Sequence, residues 1–166
     1  MAARSTEQLL HGQLAALSAP LSDDSLRALA LIVGPAMLLE ALDLIDKDSV
    51  ARILPPNGRP IYQVASSSGG QPYTVYPNVP KGGGFCPCPA FSYGVLAQGN
   101  QVTCKHILAC RIADRINAWE HKRVGLEWLA GLAIKFGTAV PPSLADSQGA
   151  PTSTLQTGIH ASSSIA

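Results

Sequence analysis

At 166 residues the chain is one domain's worth, long enough to bury a modest core without disulfide staples. Apolar residues make up 46% of it, which is ordinary for a globular protein. A formal net charge of +1 excludes any overall electrostatic demand for nucleic acid or an anionic membrane surface.

Leu10, Leu14 and Leu17 recur at helical spacing until Ala19-Pro20 ends the first segment. Ser22 before Asp23 and Asp24 predicts an N-cap with acids in the first turn of a second helix. Its apolar stripe runs through Leu26, Leu29, Ala30 and Val33. Gly34-Pro35 closes that helix and opens a third, with proline at a first-turn position where its missing N–H is harmless. Met37, Leu38, Ala41, Leu42 and Ile45 form the third stripe. Helices this short need tertiary packing to persist, so all three are expected to bury their stripes on each other and on the elements C-terminal to them.

The pattern changes near residue 49. Ser49–Leu54, Pro60–Ala65 and Tyr73–Tyr76 are short runs rich in β-branched and aromatic residues. Pro55-Pro56-Asn57-Gly58 joins the first two as a turn, and Ser66–Gln71 joins the next pair as a looser loop. A small three-stranded antiparallel sheet is expected, followed by a flexible stretch, Pro80 to Gly84. Further on, Leu108, Ile112, Ile116 and Trp119 place one apolar face on a long helix from about Lys105 to Trp119. Val124–Phe136 reads as a last, shorter helix. From Gly137 the chain is mostly Ser, Thr, Ala, Gly, Pro and Gln with a single charge, Asp146, a composition that cannot offset ordering entropy. The reading is an α+β fold: a helical region, 1–48, packed with residues 49–136 as one domain, and a disordered tail, 137–166.

Charge is distributed unevenly. Residues 1–50 carry three basic and seven acidic side chains, net −4, and residues 51–166 carry nine basic and four acidic, net +5. The N-terminus offers one Arg, Glu7 and no uninterrupted apolar region, so neither a secretory nor a mitochondrial leader is expected. The apolar run Ala28–Leu39 is broken by Gly34-Pro35 and is too short to span a bilayer. A reducing compartment is the default expectation, where four cysteines read as metal ligands or core residues.

Those cysteines carry the chemistry. Phe85-Cys86-Pro87-Cys88-Pro89-Ala90-Phe91 is followed by Thr103-Cys104-Lys105-His106-Ile107-Leu108-Ala109-Cys110. Reduced to ligands this is C-x-C, then C-x-H, four N/S donors from two places in the chain, as a closed tetrahedral zinc site requires. Pro87 and Pro89 stiffen the first half. Donors at i and i+2 cannot share one face of a regular helix, so Cys104 is expected just before the helix and His106 in its first turn. The helix dipole and Lys105 then favour a thiolate at Cys104. The plain alternative makes Cys86 and Cys88 a disulfide or two buried thiols and His106 a helix cap; two symmetric pairs of donors speak against it. Cys110, four residues after His106 on the same face, competes as a ligand but reads better as a small core residue beside Leu108 and Ile112.

The C-x-C and C-x-H pairs together resemble the signature of the SWIM zinc-finger family, and Cys104-Lys105-His106-Ile107-Leu108-Ala109 is similar to its usual second half. Ala41-Leu42-Asp43-Leu44-Ile45-Asp46, Gly58-Arg59-Pro60-Ile61-Tyr62-Gln63-Val64 and Cys86-Pro87-Cys88-Pro89-Ala90-Phe91, in that order, resemble the small SWIM-domain subunits of Shu-type complexes. The match spans about residues 35–120. It implies one structural Zn2+ on Cys86, Cys88, Cys104 and His106, with Ala109 completing the extended motif. It also implies a nuclear protein of homologous recombination. Such subunits pair with recombinase paralogues and promote assembly of a RecA-like recombinase on single-stranded DNA. By the same resemblance, single-stranded or forked DNA is reached through the complex, with no membrane and no small-molecule substrate as partner.

Enzyme chemistry is the poorest reading. A catalytic zinc keeps an open position and a nearby base, whereas four protein donors fill this shell. No H-E-x-x-H occurs, His106 lacks the glutamate of zinc deaminases, no P-loop is present, and a His106–Cys110 dyad would compete with metal binding. Direct nucleic-acid binding is the serious rival. Lys105, Arg111, Arg115, Lys122 and Arg123 lie on or just after the helix, although Asp114 and Glu120 interrupt them and few aromatics accompany them. A solvated helix face is the plain reading of that stripe. For a protein partner, the candidate contacts are the acidic segment Glu40–Asp48, with Asp43 and Asp46, and the surface around Tyr93 and Phe91.

Overall fold

The computed structural model describes residues 2–67, 69–79 and 83–134. Three helices come first: α1 (Ala2–Ala15), α2 (Asp23–Val33) and α3 (Pro35–Asp46). Their boundaries follow from the residues read as punctuation. The Ser22 hydroxyl accepts from the Ser25 N–H at 3.3 Å and caps α2, with Asp23 and Asp24 in the first turn. Gly34, at φ +87, donates its N–H to Ala30 and hands over to Pro35 at the start of α3. Leu10, Leu14, Leu17, Leu29, Leu38, Ala41 and Ile45 are all buried in one cluster, so the predicted stripes do face inward.

Strands β1 (Val50–Leu54), β2 (Ile61–Val64) and β3 (Tyr73–Val75) form the expected antiparallel meander, with Arg52 opposite Tyr62 and Tyr62 opposite Val75. A fourth strand extends it. Helix α4 (Lys105–Ile116) ends three residues earlier than the apolar periodicity suggests, because Asn117 takes a left-handed conformation (φ +55) and caps it. The chain then turns at Ala118-Trp119 and runs as β4 (Glu120–Arg123) parallel to β1, giving the order β3-β2-β1-β4. Helix α5 (Leu126–Ile134) comes last. The remainder of the predicted last helix, the predicted tail and most of the predicted flexible stretch lie outside the described residues.

Alternation divides the sheet. Val50, Tyr62, Val64 and Val75 join the main core with α1–α4, whereas Ile53, although fully buried, lies outside that cluster. Helix α4 is the centrepiece. Ile107, Leu108, Ala109, Cys110, Ile112 and Ala113 are all at most 1% exposed, and full burial of each large aliphatic contributes about 1.5–3 kcal/mol. No described helix is long and apolar enough to cross a membrane.

One polar link ties α4 to the sheet. The Tyr62 hydroxyl donates to Asp114, 2.8 Å from both carboxylate oxygens. Burial raises the Asp114 pKa above its ordinary value, against the lowering effects of the Tyr62 hydroxyl, Arg52 and Arg115. A raised folded-state pKa adds stability below the unfolded value of 3.8, and that contribution is lost as pH rises through the folded one. Asp114→Asn keeps an acceptor for Tyr62 and removes the titration. The variant is therefore expected to gain stability relative to the parent as pH rises from about 4 to 7, followed by denaturant melts. A constant difference across that range would contradict the assignment.

Candidate metal centre

The four donors of the sequence motif converge. Sγ of Cys86, Cys88 and Cys104 and a ring nitrogen of His106 all lie within 4.8 Å of one another, and all four residues are buried. Cys86 is delivered by the end of the sheet. Tyr76 and Phe85 exchange two backbone hydrogen bonds, of 2.9 and 2.8 Å, which extends β3 outward and places the next residue over the start of α4. Cys88 begins a helical segment: its carbonyl accepts from the N–H groups of Phe91 and Ser92 at 3.1 Å. The segment continues as a π-helix, Phe91–Ala97, that sequence reasoning did not find. Cys104 is the N-cap of α4, extended at φ −110 and ψ 163, and His106 lies in the first turn.

The geometry suits a four-coordinate ion. Zinc–sulfur bonds of about 2.3 Å and zinc–nitrogen bonds of about 2.0 Å put tetrahedral S···N edges at about 3.6 Å. Cys86 Sγ lies 3.7 Å from His106 Nδ1. The opposite ring nitrogen, Nε2, is buried without a hydrogen-bond partner among the described residues. Tyr73 packs on the imidazole with centroids 4.7 Å apart and limits its rotation.

The thiols bias one another. Hydrogen bonds from Cys104 and then Cys86 draw Cys88 far down toward the thiolate, and the Phe91 N–H points at its sulfur from 3.4 Å. Bonds to Cys104 and then Cys88, together with burial, hold Cys86 well above the ordinary thiol range. Cys104 is pushed up to about 11; the bond with Cys86 lowers it, and the bond with Cys88 plus burial outweighs that. Cys86 and Cys104 thus retain protons that a bound dication would displace.

Around the centre, Lys105 bridges elements. Its ammonium lies 3.0 Å from Glu40 Oε2 on α3 and 3.5 Å from Ser67 Oγ in the β2–β3 loop. Arg111 is half-buried and donates from Nε to the Pro77 carbonyl at 3.0 Å. The basic helix stripe is therefore not a free face: Lys105 and Arg111 are engaged internally, and only Arg115 of the three is exposed. Asp43 and Asp46 are both exposed, Asp43 in an i,i+4 pair with Lys47 at 2.7 Å. Phe91 is buried and meets Phe85 edge-on at 5.8 Å, whereas Tyr93 is 69% exposed beside an exposed Leu96. Tyr73 and Gly84 were missed by sequence reasoning, and Glu40 was read only as part of an acidic contact segment, not as the partner of Lys105. Only Gly84 carried a local signal, as a glycine two residues before a ligand.

Mouse zinc finger SWIM domain-containing protein 7 is 35% identical to the chain over 131 residues, 78% of this chain and 82% of the relative. The human protein of that name is 38% identical over 130 residues, 77% of this chain and 89% of the relative. The zebrafish (Danio rerio) protein is 38% identical over 102 residues, 61% and 69% respectively. The chain belongs to this SWIM zinc-finger family. No family profile and no solved structure matches it. For a SWIM zinc finger, the C-x-C and C-x-H halves are the parts that must meet, and here they do.

Cys110 is fully buried, and burial raises its thiol pKa. It lies outside the four-donor cluster. Cys110→Ala is therefore expected to keep the metal content of the parent and to lose roughly 1 kcal/mol of packing. Elemental analysis beside a thermal melt checks both; loss of metal would make Cys110 a ligand.

Proposed function

We propose that this chain is a non-enzymatic, zinc-stabilised subunit of a Shu-type complex. In this reading it pairs with recombinase paralogues in the nucleus and promotes assembly of a RecA-like filament during recombinational repair. The observation that carries it is the closed, buried set of four donors in a chain of the SWIM family. One zinc on Cys86, Cys88, Cys104 and His106 would cross-link the β3 extension to the start of α4. Four protein donors leave no position for substrate, which fits a structural rather than a catalytic ion.

The partner contacts proposed are exposed Asp43 and Asp46 on α3 and exposed Tyr93 on the π-helix. The test is co-purification with a recombinase paralogue, using the parent, Asp43→Lys/Asp46→Lys and Tyr93→Asp. Each variant is expected to retain zinc and to lose affinity by about tenfold or more, as loss of a desolvated interface anchor does. Unchanged affinity in both variants would remove these surfaces. A parent chain that captures no paralogue would remove the partner reading itself.

A further inference from the structure

Helix α5 is apolar on every side and largely uncovered. It carries one charge, Glu127, and only Leu132 of it is buried, whereas a helix hydrophobic all round is normally enclosed. Between α5 and the finger runs a groove of about 700 Å³. Tyr73, Tyr76, Phe85 and Pro87 line it together with Leu129 and Ala133 of α5, and no charged side chain does so among the described residues. Tyr76 and Phe85 are 44% and 47% exposed, although the two backbone hydrogen bonds between them fix both residues in place. The groove is therefore an aromatic-lined, neutral surface whose walls are built and whose filling is missing from the described residues.

We infer that this groove is the docking site of the chain's own segment 139–144, which carries Val140, Pro141, Pro142 and Leu144. Position, charge and stiffness select that occupant. The described chain leaves α5 at Ile134, next to Ala133 in the groove lining, and residues 135–140 reach up to about 20 Å, enough to bring Pro141-Pro142 back to the groove. No charge falls between Lys135 and Asp146, which matches a lining without charge, where an unpaired one would be costly. Two prolines fix their own φ and bias Val140 toward extended backbone, so little entropy is lost on docking. Aromatic-lined grooves take extended proline segments for that reason. Alone, this composition has nothing to pack against; the groove supplies the surface. A short tether also gives an effective concentration on the order of 1 mM, so a contact too weak to form between separate molecules suffices here. The inference concerns the isolated chain and does not rest on the partner reading.

The test is photo-crosslinking within the zinc-loaded full chain at low concentration. Leu144 is replaced by p-benzoylphenylalanine, and the cross-linked residues are mapped by mass spectrometry; a second preparation carries the probe at Leu155, beyond Asp146, as the control. The probe at 144 is expected to attach within one chain, to the segments around Tyr73, Phe85 and Leu129, and the probe at 155 to attach there about fivefold less or weaker still. Two further variants carry the probe at 144. Ala133→Glu puts a charge into the groove at an exposed helix position, and Pro141→Gly/Pro142→Gly removes the stiffness without touching the folded part. Each is expected to lower the groove cross-link by about tenfold, with zinc content and circular dichroism as in the parent. Should Ala133→Glu fail to fold, the proline variant still decides. Cross-links scattered evenly over the surface, equal groove yields from 144 and 155, or an unchanged yield in the variants that fold would each overturn the inference. Cross-links that join two chains and grow with concentration would overturn it as well, and would make the occupant a second copy.

Discussion

Cys104→Ser is expected to lose its metal and, with it, the cooperative fold. The substitution separates two roles of one residue. Cys104 caps α4, and serine is among the best N-cap residues, so the cap survives and the missing ligand accounts for the loss. A structural zinc supplies roughly 10–16 kcal/mol of apparent binding free energy, against a net domain stability of about 5–15 kcal/mol. All four donor residues are buried, and the three cysteines belong to the same cluster that holds α1–α4 and the sheet. The damage should therefore spread past the site. The expected readout is a zinc-free variant without a sharp thermal transition. A variant that sheds zinc yet melts like the parent would show that the core stands without the ion.

Gly84→Ala is expected to be nearly as severe without touching a ligand. Gly84 sits at φ +121, and a Cβ there would lie 2.8 Å from the Pro77 carbonyl oxygen and 2.9 Å from that of Tyr76. Both obstacles are backbone, so neither can swing aside. Relief requires breaking the Tyr76–Phe85 hydrogen-bond pair that delivers Cys86. Strain of this kind costs about 3 kcal/mol, and metal affinity should fall by about tenfold or more, as it does when the support of a ligand is lost. Gly99→Ala is the control: φ is +62 and the space is open, so only the left-handed penalty of about 1 kcal/mol applies. Denaturant melts and competition with a chromogenic chelator measure the two effects. Equal costs for the two variants would contradict the account.

The site was legible because its information is local. Two donors separated by one residue, twice, with prolines fixing the first pair, need no long-range contact to be read as a metal motif. The caps at Ser22 and Gly34-Pro35 were legible for the same reason. What escaped was held by distant partners. Glu120-His121-Lys122-Arg123 has little intrinsic preference for strand and becomes β4 only because the β1 backbone lies alongside it. Asn117 did carry a signal for the early end of α4, as a residue tolerant of the left-handed cap, but the apolar spacing out to Trp119 outweighed it. The basic stripe on α4 looked continuous in sequence, and long-range contacts dismantle it: Lys105 turns to Glu40 and Arg111 to the Pro77 carbonyl.

Zinc per chain is the measurement that bears most directly on this account. Elemental analysis of the parent, purified under reducing conditions, is predicted to give about one zinc per chain. Removal of that zinc by a strong chelator should abolish the thermal transition. A well-folded parent with no bound zinc would contradict the account: Cys86, Cys88, Cys104 and His106 would then be a buried cluster whose proximity serves packing alone.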